Sequence, residues 1–280
     1  MVGRVPSPTT GLRLTLRFRR VVGAVWLGAL AVYLPIQAVV WLATRATRDN
    51  LPAGRLPLGD DLLILVELLR PVAPVLAVAV LGALLALWTW SVMWHAGVVR
   101  WRSVAGPAPV RAAEVLAHGL FWWWRYARLA VTFAVGTALL LAAVWLPLRL
   151  ALRAADAAGD GGRAIILLRI DVVMGLIVLG VGWAAFLRGA WLLGEPGRSS
   201  SVVAWLRGLG GTLRRPLRSA STLIVWTMPG VALLALPLLS NAWLDELRTA
   251  GFGGVLFLLA TFGAAFCWVG LFLSFAPRER

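Results

Sequence analysis

Between Arg128 and Arg149 the chain carries twenty consecutive residues, Leu129 to Leu148, without a single charge. At 1.5 Å per residue a helix of that length is about 30 Å long, the thickness of a bilayer's hydrocarbon core. At least five stretches in the 280 residues reach this length with no acidic side chain inside. A soluble fold would have to bury all of them against one another, yet only 14% of residues are charged, against about 25% in soluble domains. The pattern therefore predicts an all-α, polytopic transmembrane bundle, a single membrane domain over residues 1–280.

Six spans are expected, near 21–44, 72–95, 128–149, 170–193, 220–240 and 252–275. Pro229 and Pro237 interrupt the fifth, but a membrane helix tolerates proline where neighbouring helices or water satisfy the freed carbonyl. The segments outside the spans carry arginines against acids in the ratios 5/0, 4/4, 5/1, 4/3, 6/1, 1/2 and 2/1, net +5, 0, +4, +1, +5, −1 and +1. Basic segments alternate with near-neutral ones at each crossing, as the positive-inside rule requires of short loops. This places a multi-pass protein in the cell membrane with both termini cytoplasmic. Most of the +15 net charge becomes a topology signal, and nucleic acid is not needed to explain it.

Other chemistries are narrowed by what the chain contains. All 27 basic residues are arginine, so phosphate-loop and Schiff-base chemistry that depend on lysine are excluded. The one cysteine, Cys267, can form no disulfide or thiolate metal site within the chain. The apolar run from Val21 to Ala43 follows Arg13, Arg17, Arg19 and Arg20 like a signal sequence. It is too long for a signal core and has no convincing small-x-small cleavage site, so it reads as an uncleaved first span.

Each odd span carries Leu-Pro near its far end, at Leu34-Pro35, Leu146-Pro147 and Leu236-Pro237. These prolines lie 18, 19 and 19 residues beyond Arg17, Arg128 and Arg218. An arginine-striped segment precedes each: Arg13, Arg17 and Arg20 in the first, Arg207, Arg214 and Arg218 in the third. In the second, Arg111, Glu114, His118, Arg125 and Arg128 share a helical stripe, with Leu116, Leu120, Trp123 and Trp124 opposite. Such helices suit the interface, apolar side toward acyl chains and arginines among head groups. The expected architecture is a threefold repeat, about 10–95, 110–193 and 202–275, of interfacial helix, kinked span and return span. Spans two and four close alike, with His95-Ala96-Gly97 and Arg188-Gly189-Ala190; span six lacks that ending.

Three segments, "WHAGVVRW" (94–101), "HGLFWWWRYARL" (118–129) and "GTLRRPLRSASTL" (211–223), resemble uncharacterised six-span bacterial integral membrane proteins. More loosely they are similar to the membrane domain attached to some glycerophosphodiester phosphodiesterases. The resemblance implies the fold and lends no functional residues; the phosphodiesterase catalytic barrel is absent from this sequence.

No catalytic constellation stands out. The acids lie almost wholly in loops, whereas ionisable residues that work inside a membrane sit within spans. His95 and His118 read as helix-end polar residues near head groups. The glycines of "RGLGGTLRRP" (207–216) read as a hinge rather than a phosphate loop. The loops "TRDN" (47–50), "GDD" (59–61) and "DAAGDGG" (156–162) could hold a cation but fit no calcium-loop spacing. Gln37, Thr137, Thr227, Ser240, Asn241 and Thr261 are expected to bond across helices, with Gln37 and Asn241 the alternative candidates to line a polar cavity. No cofactor is expected, and the protein is not expected to be an enzyme.

The expected function is that of a non-catalytic scaffold or lipid-interacting protein. Its head-group contacts would be Arg17, Arg20, Trp122, Trp123, Trp124, Arg125, Arg128, Arg214 and Arg218, and its partners anionic membrane lipids, with a protein partner or second copy left open. A transporter or permease-type subunit is the alternative.

Overall fold

The computed structural model describes residues 8–48, 70, 73–105, 110–194, 200–243 and 252–276. Among them every regular element is an α-helix: α1 (Pro8–Arg17), α2 (Arg19–Arg48), α3 (Ala73–Ala105), α4 (Ala112–Ala157), α5 (Gly161–Gly194), α6 (Ser201–Leu213), α7 (Pro216–Trp243) and α8 (Phe252–Ser274). Five of these helices are long and apolar enough to cross a membrane. The number becomes six if α1 and the first part of α2, bent by 83° at Phe18, count as one broken span. The chain divides into two compact units, residues 24–91 and the remainder.

The helices overrun the expected spans. α4 is continuous from Ala112 to Ala157, so the segment expected to form a separate interfacial helix is the first part of a 46-residue helix. The cause is local, since no proline and only Gly119 and Gly136 interrupt the sequence from Ala112 to Leu146. In the third arginine-rich segment α6 does stop, at Arg214 and Arg215, where Pro216 begins α7. Proline suits a first helical position because its missing N–H would have had no intrahelical acceptor. The expected glycine hinge is thus displaced: α6 runs unbroken through Gly208, Gly210 and Gly211. α2 and α4 likewise continue past Pro35 and Pro147.

The connection from α4 to α5 explains "DAAGDGG". Gly159 adopts φ +69°, a left-handed conformation that glycine enters without penalty. The Asp160 amide donates to the Ala155 carbonyl and the Gly159 amide to that of Asp156, the pairing of a Schellman turn. Asp160 Oδ1 then accepts from the Arg163 amide at 3.0 Å and caps α5.

In the larger unit three close helix seams run through small residues. A Cβ on Gly97 of α3 would strike the Val115 carbonyl of α4, and one on Gly119 would strike the Met93 carbonyl. A Cβ on Gly208 of α6 would strike the Ala185 carbonyl of α5, and one on Gly189 would lie 3.2 Å from the Ala204 carbonyl oxygen. At the third seam Gly11 of α1 stands against Ser274 and the Gly270 carbonyl of α8. Small residues let membrane helices approach this closely. Glycines also receive indole rings, Trp205 against Gly136 and Trp226 against Gly270.

Hydroxyls mostly turn back on their own helices. Thr15, Thr132, Thr212, Thr222, Thr261 and Ser274 each donate to the carbonyl four residues earlier, at 2.7–2.9 Å. The expected bond across helices from Thr137 is not made: Thr137 faces Gly182 and its Oγ1 has no partner. Back-bonding is the nearest way to satisfy a hydroxyl where water is scarce.

In the smaller unit, Gly28 leaves room for the Trp90 ring, and Trp90 Nε1 donates to the Val25 carbonyl at 3.1 Å.

Candidate functional site

The buried core of the larger unit lies at the arginine-rich end, where a chain of aromatic side chains fills the space between helices. His95, 1% exposed, stacks on Trp94 at 3.8 Å and meets the ring of Phe272 edge-on at 4.3 Å. Phe272 stacks in turn on Trp191, whose Nε1 donates to the Phe272 carbonyl at 3.0 Å. That carbonyl, near the end of α8, also accepts from the Phe275 amide at 3.2 Å. His95 is thus a packed core residue rather than a helix-end group near lipid. His118 stays half-exposed. Among the described residues no group of three histidine, cysteine or acidic side chains could hold a metal.

Around this core the arginines fall into three settings. In the first, around Trp122 of α4, the guanidinium carbons of Arg100 of α3 and Arg125 of α4 lie 4.8 and 5.3 Å from the Trp122 ring centroid. Cations over an indole face are held by its quadrupole, about 0.5–1 kcal/mol each at exposed sites. Trp123 is half-buried, while Trp124 is 64% exposed beside exposed Leu120 and Phe121. Tyr126 is buried, its hydroxyl donating to the Ala190 carbonyl at 3.1 Å, and Ser201 Oγ donates to the Arg125 carbonyl at 3.4 Å. These two bonds hold the Trp122 region against α5 and the start of α6.

The second setting is the break between α6 and α7. Arg214 and Arg218 are exposed on either side of half-buried Arg215. Arg215, Pro216, Leu217 and Arg218 line an open groove of about 510 Å³. The Leu217 and Arg218 amides, in the first turn of α7, make no backbone hydrogen bond among the described residues. Such amides point along the axis toward whatever stands at the helix start, where the dipole favours an anion.

The third setting is Arg188 of α5, only 9% exposed. Its Nη2 donates to Ser219 Oγ at 3.0 Å, Ser219 Oγ donates to the Arg215 carbonyl at 3.1 Å, and the guanidinium lies 5.5 Å from the Phe275 ring centroid. Its Nε is buried without an acceptor.

Of the residues expected from sequence, Arg17, Arg20 and Arg128 are exposed, as are Arg214 and Arg218. Arg125 and Trp122 are brought into contact, as are the residues flanking Pro216. The side chains of Gln37 and Asn241 lie outside the described residues, as do residues 49–50 and 59–61 of the acidic loops. Sequence reasoning passed over Arg100, Arg188 and Arg215, because an arginine stripe says which residues share a face, not which guanidinium is buried. One signal was available for Arg188: a charge followed by Gly-Ala, where a close helix approach leaves little room for water.

The described acids counter few of these charges. Glu114 pairs with Arg111 at 3.3 Å, and Asp171 with Arg149 at 3.7 Å. Among the described residues Arg20, Arg100, Arg125, Arg128, Arg188, Arg214, Arg215 and Arg218 form no ion pair with a carboxylate. Comparison with protein-family models, with curated proteins and with solved structures yields no match to this chain.

Proposed function

We propose that the protein is a non-catalytic, lipid-interacting membrane protein whose arginine-rich end lies among anionic head groups. The observation that carries this reading is the mixing of exposed large apolar residues with arginines that, among the described residues, form no ion pair with a carboxylate. Leu120, Phe121 and Trp124 accompany Arg125 and Arg128, and Leu213 and Leu217 accompany Arg214 and Arg218. A surface facing only water would not favour these apolar groups, and one facing only hydrocarbon would not favour the charges. The boundary between acyl chains and phosphates suits both.

The finer architecture belongs to the same proposal. Six spans, with α1 and α2 counted as one broken span, give both ends of the chain one side, the cytoplasmic one by the charge alternation. Three related units are supported by the three glycine seams. Aligned on them, the sequence reads "GLRLTLR" from Gly11, "GLFWWWR" from Gly119 and "GLGGTLR" from Gly208, with Gly-Leu leading and arginine seventh each time.

The test is to convert Arg125, Arg128, Arg214 and Arg218 together to Gln in the full-length chain. The expected result is unchanged insertion with a severalfold loss of co-purified anionic lipid, since each juxtamembrane arginine contributes about 1 kcal/mol at an anionic surface. Lipid retention equal to that of the parent protein would sink the reading.

A further inference from the structure

We propose that the break between α6 and α7 binds the phosphate of an anionic lipid, with Arg188 as the buried cation behind it and Arg215 and Arg218 beside it. The inference rests on the lipid-binding reading and assigns it one site.

Three independent features meet at this turn. The first turn of α7, a 28-residue helix, presents two amides without backbone acceptors, at Leu217 and Arg218. The same turn lines an open groove with Arg215 and Arg218. The decisive feature is Arg188, which is nine-tenths buried and reaches into that turn through Ser219. A guanidinium has five N–H donors, and among the described residues Arg188 finds one acceptor, while Nε is enclosed without any. Among the described residues no carboxylate answers its charge, and the charged group acting on it is another cation, Arg215. Arg188 has lost its hydration, and the half-buried Arg215 repels it. A fold keeps such a pair at low cost only when an anion joins it.

Phosphate fits because arginine's fork matches its oxygens and a helix start supplies amides in line with them. Lipid, rather than a free anion, is the source because Leu213 and Leu217, the latter 83% exposed, flank the groove with apolar surface on which an acyl chain can lie.

The experiment compares thermal stability and lipid retention of the full chain in nanodiscs of phosphatidylcholine alone and of phosphatidylcholine with phosphatidic acid. The parent protein is expected to melt higher with phosphatidic acid and to retain it selectively. Arg215→Gln and Arg188→Gln, neither among the four substitutions used above, should each weaken that retention about tenfold, the loss of one charge-assisted contact. Arg188→Gln should also melt no lower than the parent in phosphatidylcholine alone, because it removes an uncompensated cation. Arg215→Gln, at a partly exposed position, keeps the test decisive if Arg188→Gln does not fold. Undiminished retention in Arg215→Gln overturns the site while leaving the general lipid reading standing. A parent protein indifferent to anionic lipid overturns both. A melting shift reproduced by inorganic phosphate in phosphatidylcholine discs overturns lipid as the source.

Discussion

At the scale of residues, three neighbouring tryptophans meet three environments. Trp122 lies under two guanidinium groups, Trp123 is half-buried, and Trp124 is largely exposed. A run of identical side chains on a helix samples successive directions 100° apart, so identity in sequence implies difference in surroundings. The glycines divide in the same way. Gly119→Ala and Gly208→Ala would drive a methyl into a backbone carbonyl of the facing helix, which cannot move like a flexible side chain. Each is expected to cost about 1–3 kcal/mol, read as a lower melting temperature in detergent. Gly23→Ala and Gly175→Ala meet nothing within 4 Å and sit in helices, where alanine is the better former by about 1 kcal/mol. These two should leave the melting temperature unchanged or raise it, and a loss there equal to that at Gly208 would show that the seams are not what the glycines serve.

At the scale of elements, helix existence was legible and helix limits were not. Long acid-free apolar runs announce helices because a bilayer leaves the backbone no other way to satisfy itself. They do not announce where a helix stops, since arginine and tryptophan extend one as readily as leucine does. Hence α4 begins at Ala112, sixteen residues before the span read from its hydropathy. Where the chain does turn, the acidic, glycine-containing loop was legible as a turn, but its cap was not. Gly159 and Asp160 stop one helix and start the next. Asp160→Ala should remove the cap of α5 at a cost of about 1 kcal/mol, and Gly159→Ala should add a comparable strain by placing a Cβ in left-handed backbone. Both effects are measurable by thermal melting. A calcium-dependent melting temperature in the parent, lost in Asp160→Ala, would instead restore the cation site once considered for this loop.

At the scale of the whole molecule, the candidate site was half legible. The arginine stripes and exposed apolar partners could be read from periodicity alone. Arg188 could not, because its burial comes from Ser219 and Phe275, 31 and 87 positions away in the chain. The seam between α1 and α8 is equally non-local, and it can be tested directly. In a Cys267→Ser background, Thr15→Cys occupies a position fully shielded in the folded protein and should resist maleimide labelling in mild detergent. Adding Gly11→Leu, which cannot fit against Ser274 and Gly270, should expose it. Rapid labelling without the Gly11 change would mean that α1 does not rest on α8.

That seam also bears on how the protein is made. Gly11 lies in the first described helix to leave the ribosome, and its partners at Gly270 and Ser274 lie in the last. While hundreds of residues are still being added, Gly11 has no α8 to rest on, whereas Phe18 at the bend can find an early partner, the Trp101 ring of α3. On the proposed placement among anionic head groups, Arg13, Arg17 and Arg20 would hold the first helix at the membrane surface until synthesis delivers its partner. On this account those arginines act first as a temporary mooring, and a variant lacking them would fail during biogenesis rather than after it.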